Sequence, residues 1–371
     1  MDNTFESYIK QYLNEKYGEQ SEELYSLSYI LQYIVNKTKS ANRGAKARGS
    51  FANLYAIYVI VEDYLKQGFD KNGNYAKYEG AQFSALFKRQ RELPFGAKLQ
   101  NHALNSRMND EFFKFFPTQR GVYPIMRNLE TQRYWFNENY LKIKVGHKTI
   151  NIATDIINII DAYVAAKQDS FKQFIEQCQQ LQEIEDKEPE TVKAFILSLL
   201  APNVDARLFE IVSYSILKYY YRGQHIYWGY TMEEIKQEYL HLYKTGRTNA
   251  NDGGIDFVMK PLGRFFQVTE TLDFKKYFLD IEKIEKFPIS FVIKSEETET
   301  ELKNKLETDA IKTYVVQKVV DDYMSCIEEI INIPKLKDCL DDLERKGLIS
   351  DILKEIILQS KVEFNYEEDE D

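Results

Sequence analysis

Side chains able to do metal chemistry concentrate in one stretch of the chain, residues 232–278. It holds Glu234 and Glu238, then Asp256 directly after two glycines and an isoleucine, then Gln267 eleven residues later. Carboxylate and amide oxygens are the ligands that hard divalent cations such as Mg²⁺ prefer. A cation held by such oxygens, with open positions for a phosphate and a water, promotes phosphodiester hydrolysis. The stretch is therefore the candidate centre for cleavage of a phosphate ester.

The first part of this stretch has the pattern of an amphipathic helix. Apolar residues recur through 232–244, and this spacing would place Glu234 and Glu238 one turn apart on one face. The following segment, TGRTNANDGG (245–254), is rich in glycine and asparagine and predicts a turn. We therefore expect a helix that presents two carboxylates toward whatever follows the turn.

The second part predicts two short strands. Residues 255–259 are apolar, KPLG (260–263) is a tight connection, and 264–271 alternates in character. Successive side chains of a strand point to opposite faces. One face would carry Phe265, Gln267 and Thr269, and the other Phe266, Val268 and Glu270.

Together these features resemble the core of the PD-(D/E)xK nucleases, the superfamily of most type II restriction endonucleases. The family pattern is a helix glutamate, then Gly-Gly-Ile-Asp at a strand start, then (Glu/Gln)-x-Lys on the next strand. Asp256 matches the motif aspartate and Gln267 the second position. The resemblance implies Mg²⁺ held by Asp256, Gln267 and one of Glu234 or Glu238.

One position departs from the family pattern, because Thr269 stands where the motif lysine is expected. The lysine orients the attacking water and offsets developing negative charge. The Thr269 hydroxyl can hydrogen-bond that water but supplies no charge. A lysine from elsewhere could replace the motif lysine, and the candidates are Lys260, Lys275 and Lys276. Alternatively a local bulge aims Glu270 into the site.

A second segment of the chain supports the same family. The sequence AKARGSFANLYAIYVIVEDYL (45–65) resembles the N-terminal portion of HaeII-like type II restriction endonucleases. The resemblance implies Mg²⁺-dependent, site-specific cleavage of double-stranded DNA at a short palindrome by a homodimer. A cognate DNA methyltransferase is expected in the same system.

The charge of the chain is unevenly distributed. Net charge is −9, yet residues 37–148 hold 20 Lys and Arg against 9 Asp and Glu, while EFNYEEDED (363–371) holds six acids. A basic block inside an acidic chain suits a phosphate-binding surface, although solvated helix faces give the same composition. The candidate DNA contacts are Lys37, Lys39, Arg43, Lys46, Arg48, Lys88, Arg89, Arg91, Asn105, Arg107, Lys244 and Arg247.

The whole chain is expected to be mixed α/β (α+β). We predict a mostly helical DNA-recognition region over 1–190, a nuclease core with a small mixed sheet over 191–300, and a helical segment with an acidic tail over 301–371. Helical spacing marks 4–37, 51–65, 154–167, 205–222 and 336–358, and alternation around Gly146 marks a hairpin over 140–152.

Several function classes are disfavoured. No run of eighteen apolar residues occurs, and the first ten residues lack an apolar signal region. The three cysteines form no CxxC pair, which favours a reducing cytoplasm over a disulfide framework or zinc ribbon. Two rivals to the nuclease remain: a non-catalytic DNA-binding protein on a degenerate nuclease fold, and a helical interaction scaffold in which the 255–271 hairpin is plain structure.

Overall fold

A computed structural model describes residues 4–41, 47–71, 74–97, 99–184, 188–202, 204–245, 255–270, 272–314 and 316–364. The chain divides into two compact units, Met1–Phe174 and Ile175–Asp371. Both units mix helices with small sheets, so the protein is α+β. The division falls inside a long helix, and the segment after residue 301 stays with the second unit.

The first unit is mainly helical. Its helices are α1 (Thr4–Tyr17), α2 (Ser21–Leu27), α3 (Tyr29–Ala41), α4 (Ala47–Lys66), α5 (Phe83–Glu92), α6 (Met108–Phe115) and the first part of α7 (Ala153–Ile184). Helix α4 is the central element of the core, because every residue from Phe51 to Val61 is buried. The helix ends at Lys66. Shortly after it, Gly68 adopts a positive φ of 75°, a conformation that glycine tolerates best.

Five short strands complete the first unit: β1 (Ala81–Gln82), β2 (Ile125–Asn128), β3 (Arg133–Phe136), β4 (Lys142–Val145) and β5 (Lys148–Asn151). The first three form a sheet in the order β1-β3-β2, and the last two form a hairpin around Gly146. The hairpin prediction is confirmed. The helix after it is also confirmed, although α7 runs well past the expected end at residue 167.

The second unit contains the remaining helices and strands. The helices are α8 (Pro189–Ser198), α9 (Ala206–Arg222), α10 (Phe274–Lys283), α11 (Glu299–Tyr314), α12 (Gln317–Met324), α13 (Ile333–Arg345) and α14 (Ile349–Phe364). The strands are β6 (His225–Trp228), β7 (Lys236–Tyr239), β8 (His241–Lys244), β9 (Phe257–Lys260), β10 (Arg264–Thr269), β11 (Ile289–Ile293) and β12 (Ile327–Ile331). The predicted helix over 205–222 is confirmed, while the C-terminal segment from residue 301 is largely helical but also contains strand β12.

A five-stranded mixed sheet organises this unit, in the order β12-β11-β10-β9-β8. Strands β8, β9 and β10 form an antiparallel meander, and β10, β11 and β12 run parallel. Parallel neighbours need crossover connections, which α10 and the α11–α12 pair supply. The predicted strand, tight turn and second strand over 255–271 correspond to β9 and β10.

Helices cover parts of both faces of this sheet. On one face Tyr214 and Tyr221 of α9 place their rings 5.3 Å and 5.9 Å from Phe257 and Phe266. On the other face the ring of Tyr277 of α10 packs against Phe291, with 4.4 Å between the ring centroids. Helices α13 and α14 pack behind α9, so the C-terminal helices contact the core of their own chain.

The expected helix over 232–244 is wrong. Those residues form a short 3₁₀ turn (Met232–Glu234) and the strands β7 and β8. Leu240 and Leu242 are buried while Tyr239, His241 and Tyr243 are exposed, which is the two-residue period of a strand. Strands β6 and β7 pair as an antiparallel hairpin, named here the arm (residues 225–239).

Among the residues that the structure describes, no helix has both the length and the apolar character needed to cross a membrane.

Candidate active site

Asp256 lies immediately before β9 and is fixed by β10 on one side and by the end of β8 on the other. Its amide donates to the carbonyl of Phe266 at 3.0 Å, and its carbonyl accepts from the amide of Thr245 at 3.0 Å. Its carboxylate oxygen Oδ2 accepts a hydrogen bond from the amide of Val268 at 2.7 Å. These contacts hold the carboxylate beside the strand that carries Gln267 and Thr269.

Burial raises the pKa of Asp256 to about 6, against the opposing effects of the Val268 amide and of the Lys276 and Lys244 charges. A further carboxylate contributes to the increase, because Asp280 of α10 is buried and close enough to repel the Asp256 charge. Asp280 itself pairs with Lys283 at 2.9 Å. The surroundings of Asp256 are therefore poor in water and hold charges of both signs, with the lysines Lys276 and Lys244 opposing the effect of Asp280.

A helix carboxylate does approach Asp256, and it is Glu210 of α9. Its side chain is buried, and an oxygen lies 3.2 Å from the ammonium of Lys244. Burial and the neighbouring Asp256 charge raise the pKa of Glu210 to about 7, while Lys244 acts in the opposite direction. Glu210 stands alone among apolar residues in LFEIV (208–212), and this lone acid was the available sequence signal.

The side chains of Glu234 and Glu238 lie elsewhere. Both belong to the arm rather than to a helix, Glu234 in its connecting turn and Glu238 on β7. Glu238 pairs with Lys236 of the same strand at 2.8 Å. The expectation that Glu234 or Glu238 presents a helix carboxylate to Asp256 is therefore wrong, and the helix acid that interacts with Asp256 is Glu210.

Gln267 is buried on β10, two residues from Thr269 on the same face. Its amide nitrogen makes one long contact, 3.4 Å, with the carbonyl of Val268. Its amide oxygen is buried and accepts no hydrogen bond from the described residues. A buried oxygen in this state costs about 1–3 kcal/mol unless a ligand satisfies it.

Lys276 of α10 places a positive charge beside Thr269, a position of β10 whose own side chain is neutral. Its ammonium, carried by α10, lies 3.3 Å from the Thr269 hydroxyl. The same hydroxyl interacts with Tyr277. Since the Lys276 charge also lowers the pKa of Asp256, the lysine belongs to the same electrostatic neighbourhood.

The other candidates for this role lie in different places. Lys275 extends over the ring of Phe274, with 5.9 Å between ammonium and ring centroid. Lys260 lies over the ring of Tyr243 at 5.3 Å. Glu270 pairs with Lys294 at 2.7 Å, and that buried lysine also donates to the carbonyl of Val204. Glu270 is therefore held by its own ion pair and is not aimed at Asp256 by a bulge.

The donor set suits a hard cation. Within the described ranges no group of three or more His, Cys, Asp and Glu side chains is arranged to hold a metal. The set here is two carboxylates and one amide, Glu210, Asp256 and Gln267, all of which offer oxygen. Because the Gln267 oxygen is unsatisfied and the two acids repel each other, these residues fit Mg²⁺.

The basic side chains predicted to contact DNA in the first unit are mostly engaged in ion pairs. Lys37 is buried and pairs with Glu111, which also accepts from Arg107 at 2.8 Å. Lys39 pairs with Glu6 at 2.5 Å, and Arg89 binds Glu62 through two nitrogens at 2.9 Å and 3.0 Å. Lys37 in particular is a structural cation.

The remaining predicted contacts differ in exposure. Arg91 donates to the carbonyl of Ala97 at 2.8 Å, and Asn105 accepts from the Tyr134 hydroxyl at 3.1 Å. Lys88 is exposed on α5, and Lys244 pairs with Glu210. Three positions, Arg43, Lys46 and Arg247, lie outside the described residues, as does the side chain of Arg48.

Comparison with protein-family models, with curated proteins and with solved structures gave no match for this chain. The chemistry of the site therefore has to follow from its own side chains.

Proposed function

We propose that the second unit is a Mg²⁺-dependent nuclease of the PD-(D/E)xK type. One observation carries the proposal. The ammonium of Lys276 on α10 contacts the hydroxyl of Thr269 on β10, and the same strand presents the unsatisfied oxygen of Gln267. The order of elements supports it, since a helix carboxylate, an aspartate at a strand start and a glutamine on the next strand follow one another along α9, β9 and β10.

Each residue then has a defined part. Asp256, Gln267 and Glu210 would hold Mg²⁺, which when bound polarises a phosphate and acidifies a water. The Lys276 ammonium orients the attacking water and offsets negative charge that develops on the phosphate oxygens. Thr269 fixes the position of that ammonium through its hydroxyl. Lys244 opposes the rise in the pKa of Glu210 and so favours the ionised form that binds a cation.

The proposed substrate is double-stranded DNA with a short palindromic site, cleaved in a restriction system by a homodimer. Support comes from the basic block of residues 37–148, an excess of eleven positive charges. We also propose a cytoplasmic location, for which the three buried free thiols are suited. A cognate methyltransferase remains the expected partner activity.

The deciding experiment incubates several unmethylated phage DNAs with the purified full chain and Mg²⁺. EDTA and the Asp256→Ala variant serve as controls. Discrete fragments that disappear in both controls are the expected result. Intact DNA with a salt-sensitive mobility shift would instead favour a non-catalytic DNA-binding protein, because release of counterions accompanies phosphate contacts. If the DNA is neither cleaved nor shifted in mobility, both the nuclease and the DNA-binding protein are overturned.

A further inference from the structure

A row of exposed aromatic side chains begins on the arm and continues onto the edge strand of the five-stranded sheet. Pairing places His225 opposite Tyr239 and Tyr227 opposite Gln237. Directly opposed residues of antiparallel strands share a face. The row, named here the aromatic stripe, consists of His225, Tyr227, Tyr239, His241, Tyr243 and Lys260.

These side chains are ordered against one another yet open to solvent. The His225 ring lies 5.6 Å from Tyr227 and 6.0 Å from Tyr239, and His241 lies 6.4 Å from Tyr243. The three tyrosines are 67%, 54% and 49% exposed in the order Tyr227, Tyr239 and Tyr243. Contiguous exposure of this kind marks a binding surface.

The part of the stripe on β8 and β9, which is His241, Tyr243 and Lys260, shares its sheet face with the candidate active site. Strand pairing aligns Tyr243 with Val258, and Val258 with Phe265. Since side chains alternate along β10, Phe265, Gln267 and Thr269 lie on that same face. Helix α10 covers the Thr269 end through Lys276, while Tyr243 and Lys260 at the other end stay exposed.

The chemistry of the stripe suits unpaired bases. It presents rings and the Lys260 ammonium, which lies 5.3 Å from the centre of the Tyr243 ring, and it includes no carboxylate. Acidic Glu238 pairs with Ile226 and so points to the opposite face of the arm. Proteins that bind single strands combine stacking aromatic rings with cations that contact phosphates.

We propose that the aromatic stripe binds a single-stranded segment of DNA and leads it to the site at Asp256, Gln267 and Lys276. This inference rests on the proposed function and deepens it, because it says that one strand of the double-stranded substrate is locally unpaired where it reaches the site. The tyrosine rings stack on successive bases, and Lys260 neutralises a phosphate beside Tyr243.

The test measures binding alone, by fluorescence anisotropy of a labelled oligothymidylate, with the Asp256→Ala full chain. Tyr227→Ala, Tyr239→Ala and Tyr243→Ala should each weaken binding roughly tenfold, and the corresponding phenylalanine variants should retain it. The matched control is Tyr230→Ala, since Tyr230 is 89% exposed but contacts Trp228 on the other face of the arm. Melting temperatures of all variants verify the fold.

Absence of oligothymidylate binding would overturn the inference. So would equal losses in Tyr230→Ala and the stripe variants, or binding of duplex alone that the stripe variants leave unchanged. The readout is independent of cleavage. If the Asp256→Ala chain binds the strand through the stripe but the wild type never cleaves, the proposed nuclease fails and the stripe stands. If the wild type cleaves DNA but the Asp256→Ala chain does not bind the single strand, the proposed nuclease stands and the inference about the stripe fails.

Discussion

The ammonium of Lys276 on α10 lies 3.3 Å from the hydroxyl of Thr269 on β10. A cation is thus placed at a strand position whose own residue is neutral. Helix α10 reaches this position because it is the crossover between the parallel strands β10 and β11, and it packs over them through Tyr277. Lys276 can therefore take the part of a lysine on the strand.

Replacing Lys276 should slow cleavage strongly and spare the fold. Lys276→Met is expected to lower the single-turnover cleavage rate by about 10²–10³-fold, the usual effect of losing one group that stabilises developing charge. The matched control Lys275→Met should change little, because Lys275 lies over Phe274. Rescue of Lys276→Met by Thr269→Lys would establish that the two positions are equivalent. Unchanged cleavage in Lys276→Met would remove the lysine from the mechanism.

The helix carboxylate offers a second comparison. Glu210→Gln keeps the size of the side chain but removes its charge beside Asp256, so Mg²⁺-dependent cleavage should fall at least tenfold and its Mg²⁺ requirement should rise. Glu238→Gln, on the arm, should leave the Mg²⁺ requirement unchanged. A titration of cleavage rate against Mg²⁺ measures both. A larger change in the Mg²⁺ requirement for Glu238→Gln than for Glu210→Gln would contradict the assignment of Glu210 to the metal site.

Gln267→Met tests whether the buried amide oxygen of Gln267 binds a ligand. Methionine has a similar volume and carries no unsatisfied acceptor, so the free energy of unfolding without Mg²⁺ should rise by about 1 kcal/mol. The stabilisation that Mg²⁺ confers on the wild type should disappear in the variant. Denaturant titrations with and without Mg²⁺ measure the two effects. A variant that is less stable and still responds to Mg²⁺ would refute the role.

Stability without metal should fall as pH rises. The pKa of Glu210 is raised to about 7 and that of Asp256 to about 6, so the folded state holds protons that the unfolded state has released above about pH 4.5. The resulting stability is complete below the unfolded pKa values and is lost as pH rises through the folded ones. The melting temperature should thus decline from pH 5 to pH 8.

Two controls accompany this pH series. Mg²⁺ should raise the melting temperature at pH 8 and have little effect at pH 5, because protons compete with the cation for the carboxylates. Glu210→Gln should flatten the decline, since its side chain cannot ionise. A wild type that becomes more stable over this interval, with Glu210→Gln unchanged from it, would show that these acids are not protonated in the fold.

The first unit contains a polar cluster that can be tested by itself. Asp155 of α7 is fully buried and accepts from Tyr12, Lys16 and Tyr17 of α1 at 2.9, 2.5 and 2.6 Å. Asp155→Ala should lower the free energy of unfolding by about 2–4 kcal/mol, because it removes a buried carboxylate that accepts three hydrogen bonds, one of them charge-assisted. Asp169→Ala, on an exposed position of the same helix, should stay within about 0.5 kcal/mol in urea titrations. Equal effects would contradict this account.

Local sequence patterns predicted the strands at Asp256 and Gln267, because apolar alternation and the KPLG turn determine them locally. They failed at 232–244, where the apolar residues fit a helical period as well as a strand period. Only the fold shows that Leu240 and Leu242 face inward and that Tyr239 and Tyr243 face out.

The two other groups at the site depend on distant packing. Glu210 reaches Asp256 because α9 packs against the β8 end of the sheet, and no local pattern encodes that contact. Lys276 was one of three candidate lysines in the sequence, and the crossover of α10 distinguishes it from Lys260 and Lys275. Sequence therefore indicated the residue types, whereas tertiary packing decided which copies meet.

The position of β12 in the sheet has a consequence for biosynthesis. Strand β10 is central, yet the sheet is completed by residues 327–331, and α9 is covered by helices that end at Phe364. At about 5–20 residues per second, a ribosome needs roughly 5–19 s to translate from Thr269 to the end of α14. We expect a nascent chain to lack the assembled site throughout that interval. Its chemistry would then begin only once α14 has been translated and has packed against α9.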